Sequence, residues 1–333
     1  MRGDEGASGR GGERANADLR RAAELIRSGK LVAFPTETVY GLGANAFDAA
    51  AVARIFAVKG RPRQSPLIVH VDSIEMARAL VLQWPDAADR LARRYWPGPL
   101  TLVLPKRPPI PDIVTAGLST VGLRVPSHPL ALALIRAAGV PIAAPSANPF
   151  TELSPTTAEH VRQSLGDAVD LVLDGGPAIV GIESTVLSLA GTEPLLLRPG
   201  VIPLPEIESL IGPVRIAGAA AGPHASPGMH PQHYRPRTPL ALLAAGDPTP
   251  PGRGEWLRLG REMPAEPGAY AAMLYAALHR LDAQGLDWIA VERPPDTPEW
   301  AGVLDRLTRA ASHSAQPSRR ESFAPPLRPL PPS

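Results

Sequence analysis

The sequence predicts an α/β fold, in which a twisted, mixed β-sheet carries packed helices and is followed by a small, Rossmann-like α/β unit. Two observations predict this class. Short apolar segments rich in Val, Ile and Leu alternate with segments whose apolar residues recur at helical spacing. The helices and strands interleave without a strict βαβ order, which favours a mixed sheet over an all-parallel one.

The larger, N-terminal part is built from short elements. An amphipathic segment over residues 19–26 predicts the first helix, and Asp48 is placed to cap the second. Further helices are predicted from Ser73, over residues 130–135 and from Thr156. Apolar runs predict strands at residues 31–34, 67–71, 101–104, 121–125, 141–145, 170–175 and 184–189.

The C-terminal part repeats this alternation on a smaller scale. Residues 270–281 place apolar side chains at i, i+3, i+4, i+7, i+8 and i+11, which predicts a helix, and residues 303–307 predict another. Strands are expected in residues 239–246, 255–260 and 287–292. We therefore expect a disordered lead-in (1–16), a catalytic domain (17–211), a Pro- and Gly-rich linker or lid (212–237), a small α/β domain (238–316) and a disordered tail (317–333).

Composition excludes several classes of protein. The 333 residues carry 34 Lys and Arg against 32 Asp and Glu, a net charge of +2, too balanced for a non-specific nucleic-acid coat. The absence of cysteine excludes disulfides, thiol catalysis, zinc ribbons and iron–sulfur clusters, and fits a reducing cytoplasm. No run approaches the ~20 apolar residues of a membrane span, and the N-terminal stretch lacks the apolar core of a signal peptide.

Residues 41–46 (GLGANA) satisfy the G-x-G-x-x-A pattern of a dinucleotide-binding turn. The context argues against that function. Pro35 and polar residues separate the glycines from the preceding strand, and no acidic residue ends a second strand ~20 residues later. A Walker-type phosphate loop is also missing from the sequence, so any nucleotide must be bound by a different motif.

Two segments could bind phosphate. Lys59, Arg61 and Arg63 cluster at the predicted end of the second helix, although cations that complement a helix dipole are the plainer interpretation and the favoured one for this motif alone. Ser146 and Asn148 follow an apolar strand on a loop flanked by two prolines, where ligands of α/β sheets bind. An ordinary Pro/Ser/Asn turn explains this second segment equally well.

Other polar side chains interrupt apolar strands. Arg124 meets either a structural carboxylate or a carboxylate ligand, because an unpaired arginine in an apolar strand is costly. A satisfied core histidine is the favoured interpretation of His70. Further candidates are the hydroxyls and carboxylate at residues 36–38 and at 181–185, and Arg198 at a strand end. Together these residues indicate a pocket with several cations and many hydroxyls.

At these residues the sequence resembles the threonylcarbamoyl-AMP synthase family, with its YrdC-like catalytic domain. The resemblance covers about residues 17–211, and SPGMHPQHYRP (226–236) with the small unit resembles the longer family form, to about residue 316. Ser65 stands where the family also has Asn. The motifs that occur in family order are FPTETVYGLGANA (34–46), KGRPRQSPLIVHV (59–71), YWPGPLTLVL (95–104), APSAN (144–148), SPT (154–156), DGG (174–176), GIESTV (181–186) and LLRPG (196–200).

The resemblance implies a cytoplasmic nucleotidyltransferase that converts L-threonine, bicarbonate and ATP, with Mg²⁺, into threonylcarbamoyl-AMP and pyrophosphate. The product serves the threonylcarbamoyladenosine modification of tRNA beside the anticodon. It implies a transient hand-over to the tRNA threonylcarbamoyl-transferase machinery, with weak contact to tRNA as an open alternative, and no tightly bound organic cofactor. Mg²⁺ would be held mainly through the ATP phosphates.

The resemblance also implies roles for individual residues. Lys59, Arg61, Ser146 and Asn148 would be catalytic. The residues expected to contact ATP or the adenylate are Lys59, Arg61, Ser65, Thr120, Ser146, Asn148, Ser154, Arg198 and Tyr234. Those expected to hold threonine are Thr36, His70, Arg124, Ala144 (through its backbone) and Ser184.

Two other functions compete with this one. A hydrogenase-maturation carbamoyltransferase uses a similar domain, but such proteins carry cysteine zinc motifs that this chain lacks. A double-stranded RNA- or tRNA-binding or ribosome-associated module without turnover would use the same concave basic surface for phosphates.

Overall fold

The computed structural model describes residues 5–218 and 233–311, with side chains from residue 16 onward. The tail expected over residues 317–333 and the middle of the expected linker, residues 219–232, lie outside the described residues. Within the described ranges, no helix is both long and apolar enough to cross a bilayer.

The larger unit contains eight of the described helices and ten strands. The helices are α1 (Glu5–Arg27), α2 (Ala49–Lys59), α3 (Ile74–Ala79), α4 (Asp86–Tyr95), α5 (Asp112–Thr115), α6 (Pro129–Ala138), α7 (Ala158–Leu165) and α8 (Leu204–Ile211). The strands are β1 (Val32–Phe34), β2 (Gly41–Asn45), β3 (Ile68–His70), β4 (Leu100–Pro105), β5 (Thr120–Arg124), β6 (Ile142–Ala143), β7 (Leu171–Val172), β8 (Thr185–Ser188), β9 (Leu195–Arg198) and β10 (Arg215–Ile216).

These strands form one mixed sheet in the order β10-β9-β8-β4-β5-β3-β6-β2-β1-β7. The sheet contains parallel pairs, such as β3 with β5, and antiparallel pairs, such as β4 with β5. Helices cover the sheet, and α1 packs on α6 with Ile26, Leu134 and Ile135 fully buried. The mixed sheet predicted from the irregular order of elements is therefore confirmed.

The smaller unit is a three-stranded parallel sheet in the order β11-β13-β12, with two helices. Its elements are β11 (Leu240–Leu243), β12 (Gly254–Leu257), α9 (Pro267–Asp282), β13 (Trp288–Glu292) and α10 (Ala301–Ala311). The parallel strands joined through α9 confirm the predicted Rossmann-like unit. Its core is continuous with the larger unit, because Val39, Leu153 and Ile182 belong to the same buried cluster as Leu274 and Leu307.

Local signals in the sequence place several element boundaries. The Asp48 carboxylate accepts hydrogen bonds from the amides of Ala50 and Ala51, so it caps α2 as predicted. Ser73 caps α3 in the same way. The helix predicted from Thr156 begins two residues later, because Thr157 supplies the cap to α7.

The structure differs from the expected boundaries at both ends of the larger unit. Residues 5–16, expected as a disordered lead-in, already belong to α1, which continues from the buried face around Ala22 and Ile26 through a stretch without proline. The glycines in this stretch disfavour a helix, and local propensity therefore does not explain the extension. Residues 215–216, expected in the linker, form β10 and pair with β9. The described part of the linker is therefore shorter than the sequence suggested.

The GLGANA segment lies in a strand and not in a phosphate-binding turn. Residues 41–45 form β2, between β1 and β6. A Cβ on Gly43 would lie 2.8 Å from side-chain carbons of both Phe34 and Ile142. This glycine therefore permits close packing inside the sheet, which explains the pattern without a dinucleotide.

Candidate active site

A pocket opens where the ends of several strands of the larger unit meet the segment that leads into the smaller unit. Nine residues that the sequence singled out line it: Thr36, Arg61, His70, Arg124, Ala144, Ser146, Ser184, Arg198 and Tyr234. Thr38, Glu183 and His233 are further polar members of the wall. The pocket thus gathers residues separated by nearly 200 positions in the chain.

Strand pairing brings the apolar-strand candidates together. His70 and Arg124 are register partners in the parallel pair β3 and β5, so their side chains lie on the same face. Ser146 follows β6 and bridges to Gly41 at the start of β2. Thr36 lies in the bend after β1, where its hydroxyl donates to the carbonyl oxygen of Val39 at 2.6 Å.

His70 is a buried, neutral imidazole. Burial, reinforced by the charge of Arg124, lowers the pKa of His70 to about 3. Its Nδ1 atom has no hydrogen-bond partner within the described residues. An unpaired nitrogen on a pocket wall favours a ligand-binding role over the core role that the sequence favoured.

Arg124 meets a structural carboxylate, one of the two alternatives left open by the sequence. Its Nη2 lies 2.8 Å from Oε1 of Glu37, and Nε donates to the carbonyl oxygen of Gly98 at 3.2 Å. Oε2 of Glu37 accepts a further hydrogen bond from the amide of Ser127 at 3.0 Å. The ion pair fixes the guanidinium at the pocket wall, so a structural pairing and a ligand contact are compatible.

The three cations at residues 59–63 take different positions. Arg61 is buried and lines the pocket, while Arg63 is exposed. The Lys59 ammonium lies behind the wall, where it donates to the carbonyl oxygens of Ser146, at 2.6 Å, and Asn148. Lys59 therefore shapes the loop that carries Ser146, and the predicted compact cluster of three cations is not formed.

Burial lowers the pKa of both Lys59 and Arg61. Desolvation and the neighbouring Arg61 lower the pKa of Lys59 well below its usual value. The pKa of Arg61 is lowered to about 10, mainly by burial, with the charge of Arg198 adding to the effect. Binding of an anion nearby would offset this cost, so the lowered pKa values are compatible with an anion-binding site.

Arg198 and Ser184 form a second anchored pair. Nε and Nη2 of Arg198 donate to the carbonyl oxygen of Ser184 at 3.1 and 3.0 Å, and Nη2 also donates to its hydroxyl at 3.2 Å. The Ser184 hydroxyl lies 2.8 Å from that of Thr101 on β4. These bonds tie the end of β9 to the start of β8 at the pocket wall.

His233 and Tyr234 lie inside the pocket, at the end of the expected lid. Tyr234 is 1% exposed, and its φ of 64° is in the left-handed region, which is strained for tyrosine. The amide of Arg235 donates to the carbonyl oxygen of Thr151 at 2.9 Å and holds the turn in place. The Tyr234 hydroxyl has no hydrogen-bond partner among the described residues.

The remaining candidates lie near the pocket without lining it. The Ser154 hydroxyl donates to Oε1 of Glu183 at 2.5 Å, and the backbone carbonyl oxygen of Ser65 accepts a hydrogen bond from Nε of Arg61 at 3.4 Å. Asn148 donates to the carbonyl oxygens of Pro149 and Glu152, at 2.9 Å each, while its own side-chain oxygen has no described partner. Thr120 lines a neighbouring, mainly apolar cavity that shares Ile68 with the pocket.

Sequence reasoning missed the partners of Glu183. The carboxylate accepts from Arg306 Nε at 2.7 Å and from the hydroxyl of Tyr275 at 3.2 Å, and both residues belong to the smaller unit. The i, i+3, i+4 pattern that predicted α9 and α10 gives no sign of these polar contacts. Arg306, polar within an otherwise apolar helix face, was the one available signal.

The donor set suits anions better than a protein-bound metal. Among residues 16–218 and 233–311, no group of three His, Cys, Asp or Glu side chains is arranged to hold a cation. Glu183, the carboxylate on the pocket wall, is already engaged by Arg306 and Ser154. A divalent ion carried in by phosphate oxygens fits these residues, since Mg²⁺ commonly binds through substrate phosphates.

Two family models match the chain. The model Sua5_yciO_yrdC, described as Telomere recombination, matches residues 24–200, and the model described as Threonylcarbamoyl-AMP synthase, C-terminal domain, matches residues 202–312.

Similar proteins extend over most of the chain. The threonylcarbamoyl-AMP synthase of Pyrococcus abyssi is 42% identical and covers 89% of this chain and 94% of its own length. That of Bacillus subtilis is 43% identical, with coverage of 88% and 92%. A putative threonylcarbamoyl-AMP synthase of Mycobacterium tuberculosis is 40% identical over 200 residues, which are 60% of this chain and 92% of that protein.

The fold agrees with a solved structure. The crystal structure of P. abyssi Sua5 complexed with L-threonine superimposes with a TM-score of 0.83 at 40% identity, covering 89% of this chain and 94% of the other. The predicted fold class is thereby confirmed over both units.

Proposed function

We propose that the pocket described above is the active site of this chain, which belongs to the threonylcarbamoyl-AMP synthase family. The chain makes threonylcarbamoyl-AMP and pyrophosphate from L-threonine, bicarbonate and ATP. It is a nucleotidyltransferase, and its product serves the threonylcarbamoyladenosine modification of tRNA. The observation that supports this location most is the gathering of Arg61, Arg124 and Arg198 in one buried pocket, since every substrate carries negative charge.

Threonine is assigned to the side of the pocket formed by β3 and β5. Arg124, fixed by Glu37, would face the substrate carboxylate, and the unpaired Nδ1 of His70 would bind a polar group of the amino acid. Thr36, Ser184 and the backbone of Ala144 would complete this subsite. The neutral state of His70 matters, because a second cation beside Arg124 would be costly in so buried a position.

ATP is assigned to the side formed by Arg61, Ser146 and Arg198, with Tyr234 above it. Thr120 would contact the nucleotide from the adjoining, mainly apolar cavity. Lys59, Ser65, Asn148 and Ser154 would act from behind the wall, where they hold the loops that carry the pocket residues. Mg²⁺ would arrive with the phosphates, and we propose no tightly bound organic cofactor.

The reaction asks the protein chiefly to position anions. The threonine amine attacks the carbon of bicarbonate, and loss of water gives a carbamate. An oxygen of the carbamate then attacks the α-phosphorus as the bond to the bridging oxygen of the β-phosphate breaks and pyrophosphate leaves with the electron pair. Negative charge accumulates on the phosphoryl oxygens during this step. Fixed cations such as Arg61 and Arg198, in a pocket with little water, stabilise that charge without reorganising.

Pyrophosphate release from ATP tests the location and the function together. The full chain should release pyrophosphate only when both threonine and bicarbonate are present, and omission of either should abolish it. Binding of tRNA or duplex RNA without such turnover would instead support the RNA-binding module. Variants in the pocket, described below, then test the location separately.

We propose that the segment ending at Tyr234 acts as a lid, although residues 219–232 lie outside the described residues and residues 215–216 belong to the sheet. Tyr234 and His233 close the pocket in this structure. The lid would exclude water from an adenylate that hydrolyses easily.

Limited proteolysis of the full chain between Arg215 and Arg237 tests the lid. Cleavage should slow when ATP and threonine are added. Tyr234→Ala should lose more intermediate to hydrolysis than Tyr234→Phe, which keeps the ring. Unchanged cleavage together with unchanged product yield in both variants would refute the lid.

Three further assignments complete the proposal. The chain is cytoplasmic, it hands its product transiently to the tRNA threonylcarbamoyl-transferase machinery, and any contact with tRNA itself is weak. We also propose the domain limits 17–211 and 238–316, with the two differences described above, although residues 312–316 lie outside the described residues.

A further inference from the structure

One buried arginine of the smaller unit reaches the wall of the candidate active site. Arg306 on α10 has a fully buried side chain. Its Nε donates to Oε2 of Glu183 at 2.7 Å, and its Nη2 donates to the backbone carbonyl oxygen of the same residue at 3.1 Å. Its Nη1 donates to the carbonyl oxygen of Pro199 at 3.0 Å. A single guanidinium therefore joins the segment before β8 to the segment after β9.

Both segments carry proposed substrate-binding residues. Ser184 follows Glu183 directly, and Arg198 directly precedes Pro199. Arg306 thus holds Glu183 and Pro199, the chain neighbours of the two residues that are hydrogen-bonded to each other inside the pocket, Ser184 and Arg198. Through Oε1 of Glu183, the network also extends to the hydroxyl of Ser154 at 2.5 Å.

The packing around Arg306 leaves these segments little freedom. A methyl group on Gly302, in the same helix, would collide with the backbone carbonyl of Gly200. A methyl group on Gly181 would collide with the carbonyl of Ala271 in α9. Both loops therefore lie directly on the backbone of helices from the smaller unit.

The cations in this network stabilise the ionised carboxylate of Glu183. Burial alone would raise the pKa of Glu183, but the charges of Arg306 and Arg198 and the hydrogen bond from Ser154 lower it below its usual value. The Arg306 guanidinium also lies 5.2 Å from the ring centroid of Tyr234, within cation–π range. Loss of the arginine would leave a buried carboxylate without its cation and Tyr234 without its support.

We propose that Arg306 is a positioning residue for adenylate formation, and that the smaller unit thereby completes the active site. The inference rests on the proposed function. Arg306 touches no substrate itself. It limits the movement of Ser184 and Arg198 by holding their chain neighbours Glu183 and Pro199, and it packs against the ring of Tyr234.

Arg306→Lys is the decisive variant, with Arg309→Lys as its matched control. Lysine keeps the charge, but one ammonium cannot reproduce three bonds donated from three nitrogens of a planar group. Misplacement of Ser184 and Arg198 should lower kcat/KM for ATP by about 10²-fold. Arg309 lies one turn further along α10 and pairs with Asp305 at 2.8 Å, a carboxylate that Nη1 of Arg306 also contacts at 2.7 Å. Because lysine at position 309 can keep this single ion pair, the control variant should stay within about twofold of the unmodified chain.

A second comparison separates positioning from stability. Arg306→Met should lower Tm strongly, because Glu183 becomes an uncompensated buried charge. Adding Glu183→Gln removes that charge and should restore much of the Tm, but kcat/KM should stay low because Ser184 and Arg198 are still not held. A double variant that regained both Tm and kcat/KM would show a purely structural role and overturn the proposal, as would Arg306→Lys with the activity of Arg309→Lys.

Failure of the proposed function would look different. The unmodified chain would then show no pyrophosphate release that depends on threonine and bicarbonate. Calorimetric affinities for ATP and for threonine, measured on Arg306→Lys and Arg309→Lys, would still decide the positioning role. Equal affinities in the two variants would refute it.

Discussion

Arg61→Ala is expected to lower kcat/KM for threonylcarbamoyl-AMP formation by about 10²- to 10³-fold, the usual loss when one preorganised charge partner of a transition state is removed. The protein should remain folded. Arg61 is buried beside Arg198, and its pKa of about 10 reflects the cost of burying the charge, so removing that charge relieves an unfavourable term. Pyrophosphate release under saturating threonine and bicarbonate, with Tm recorded in parallel, measures both effects.

Arg63→Ala provides the matched control for this experiment. Arg63 lies two positions later in the same motif, but it is exposed and outside the pocket wall. Its variant should keep nearly full activity. Equal losses in the two variants would mean that the motif acts through general charge, and near-normal activity in Arg61→Ala would contradict the location of the site.

Arg124→Lys should weaken threonine binding by about 10- to 100-fold while ATP binding changes little. The guanidinium contacts both Glu37 and Gly98, which fixes the plane that it presents to a carboxylate. An ammonium in its place would pair with Glu37 and could not reach both partners and the substrate. Separate calorimetric titrations with threonine and with a non-hydrolysable ATP analogue measure the two affinities.

Arg136→Lys is a suitable control for that substitution. Arg136 lies on α6, is largely exposed and sits 3.9 Å from Asp72. Its variant should bind both ligands normally. If Arg124→Lys weakened both ligands equally, Arg124 would have a structural role, and the assignment of threonine to the β3 and β5 side would be wrong.

Much of the fold follows from local patterns in the sequence. The caps at Asp48 and Ser73 and the long periodic run of α9 act within a few residues, so they are visible without the structure. β2 escaped prediction, because its glycines are selected by contacts with Phe34 and Ile142 that lie elsewhere in the chain. β10 is two residues long and carries no pattern of its own.

Some residues of the candidate site were also visible in the sequence, and others were not. His70 and Arg124 stood out because a polar residue in an apolar strand needs an explanation, and their strand register brings them together. The inward position of Arg61 and the outward position of Arg63 depend on the turn after Gly60, whose φ of 60° ends α2. The network of Glu183, Tyr275 and Arg306 depends on how two units dock, which no local pattern encodes.

The 123 positions between Glu183 and Arg306 impose an order on biosynthesis. Ribosomes elongate at ~5–20 residues per second, so the emerging catalytic unit waits roughly 6–25 s for the cation that completes its wall. Nascent chains, and fragments that stop before α10, hold Arg61 and Arg124 but lack the clamp behind Ser184 and Arg198. Adenylate formation by such chains should therefore be slower, because α10, the last helix that the structure describes, completes the wall only late in synthesis.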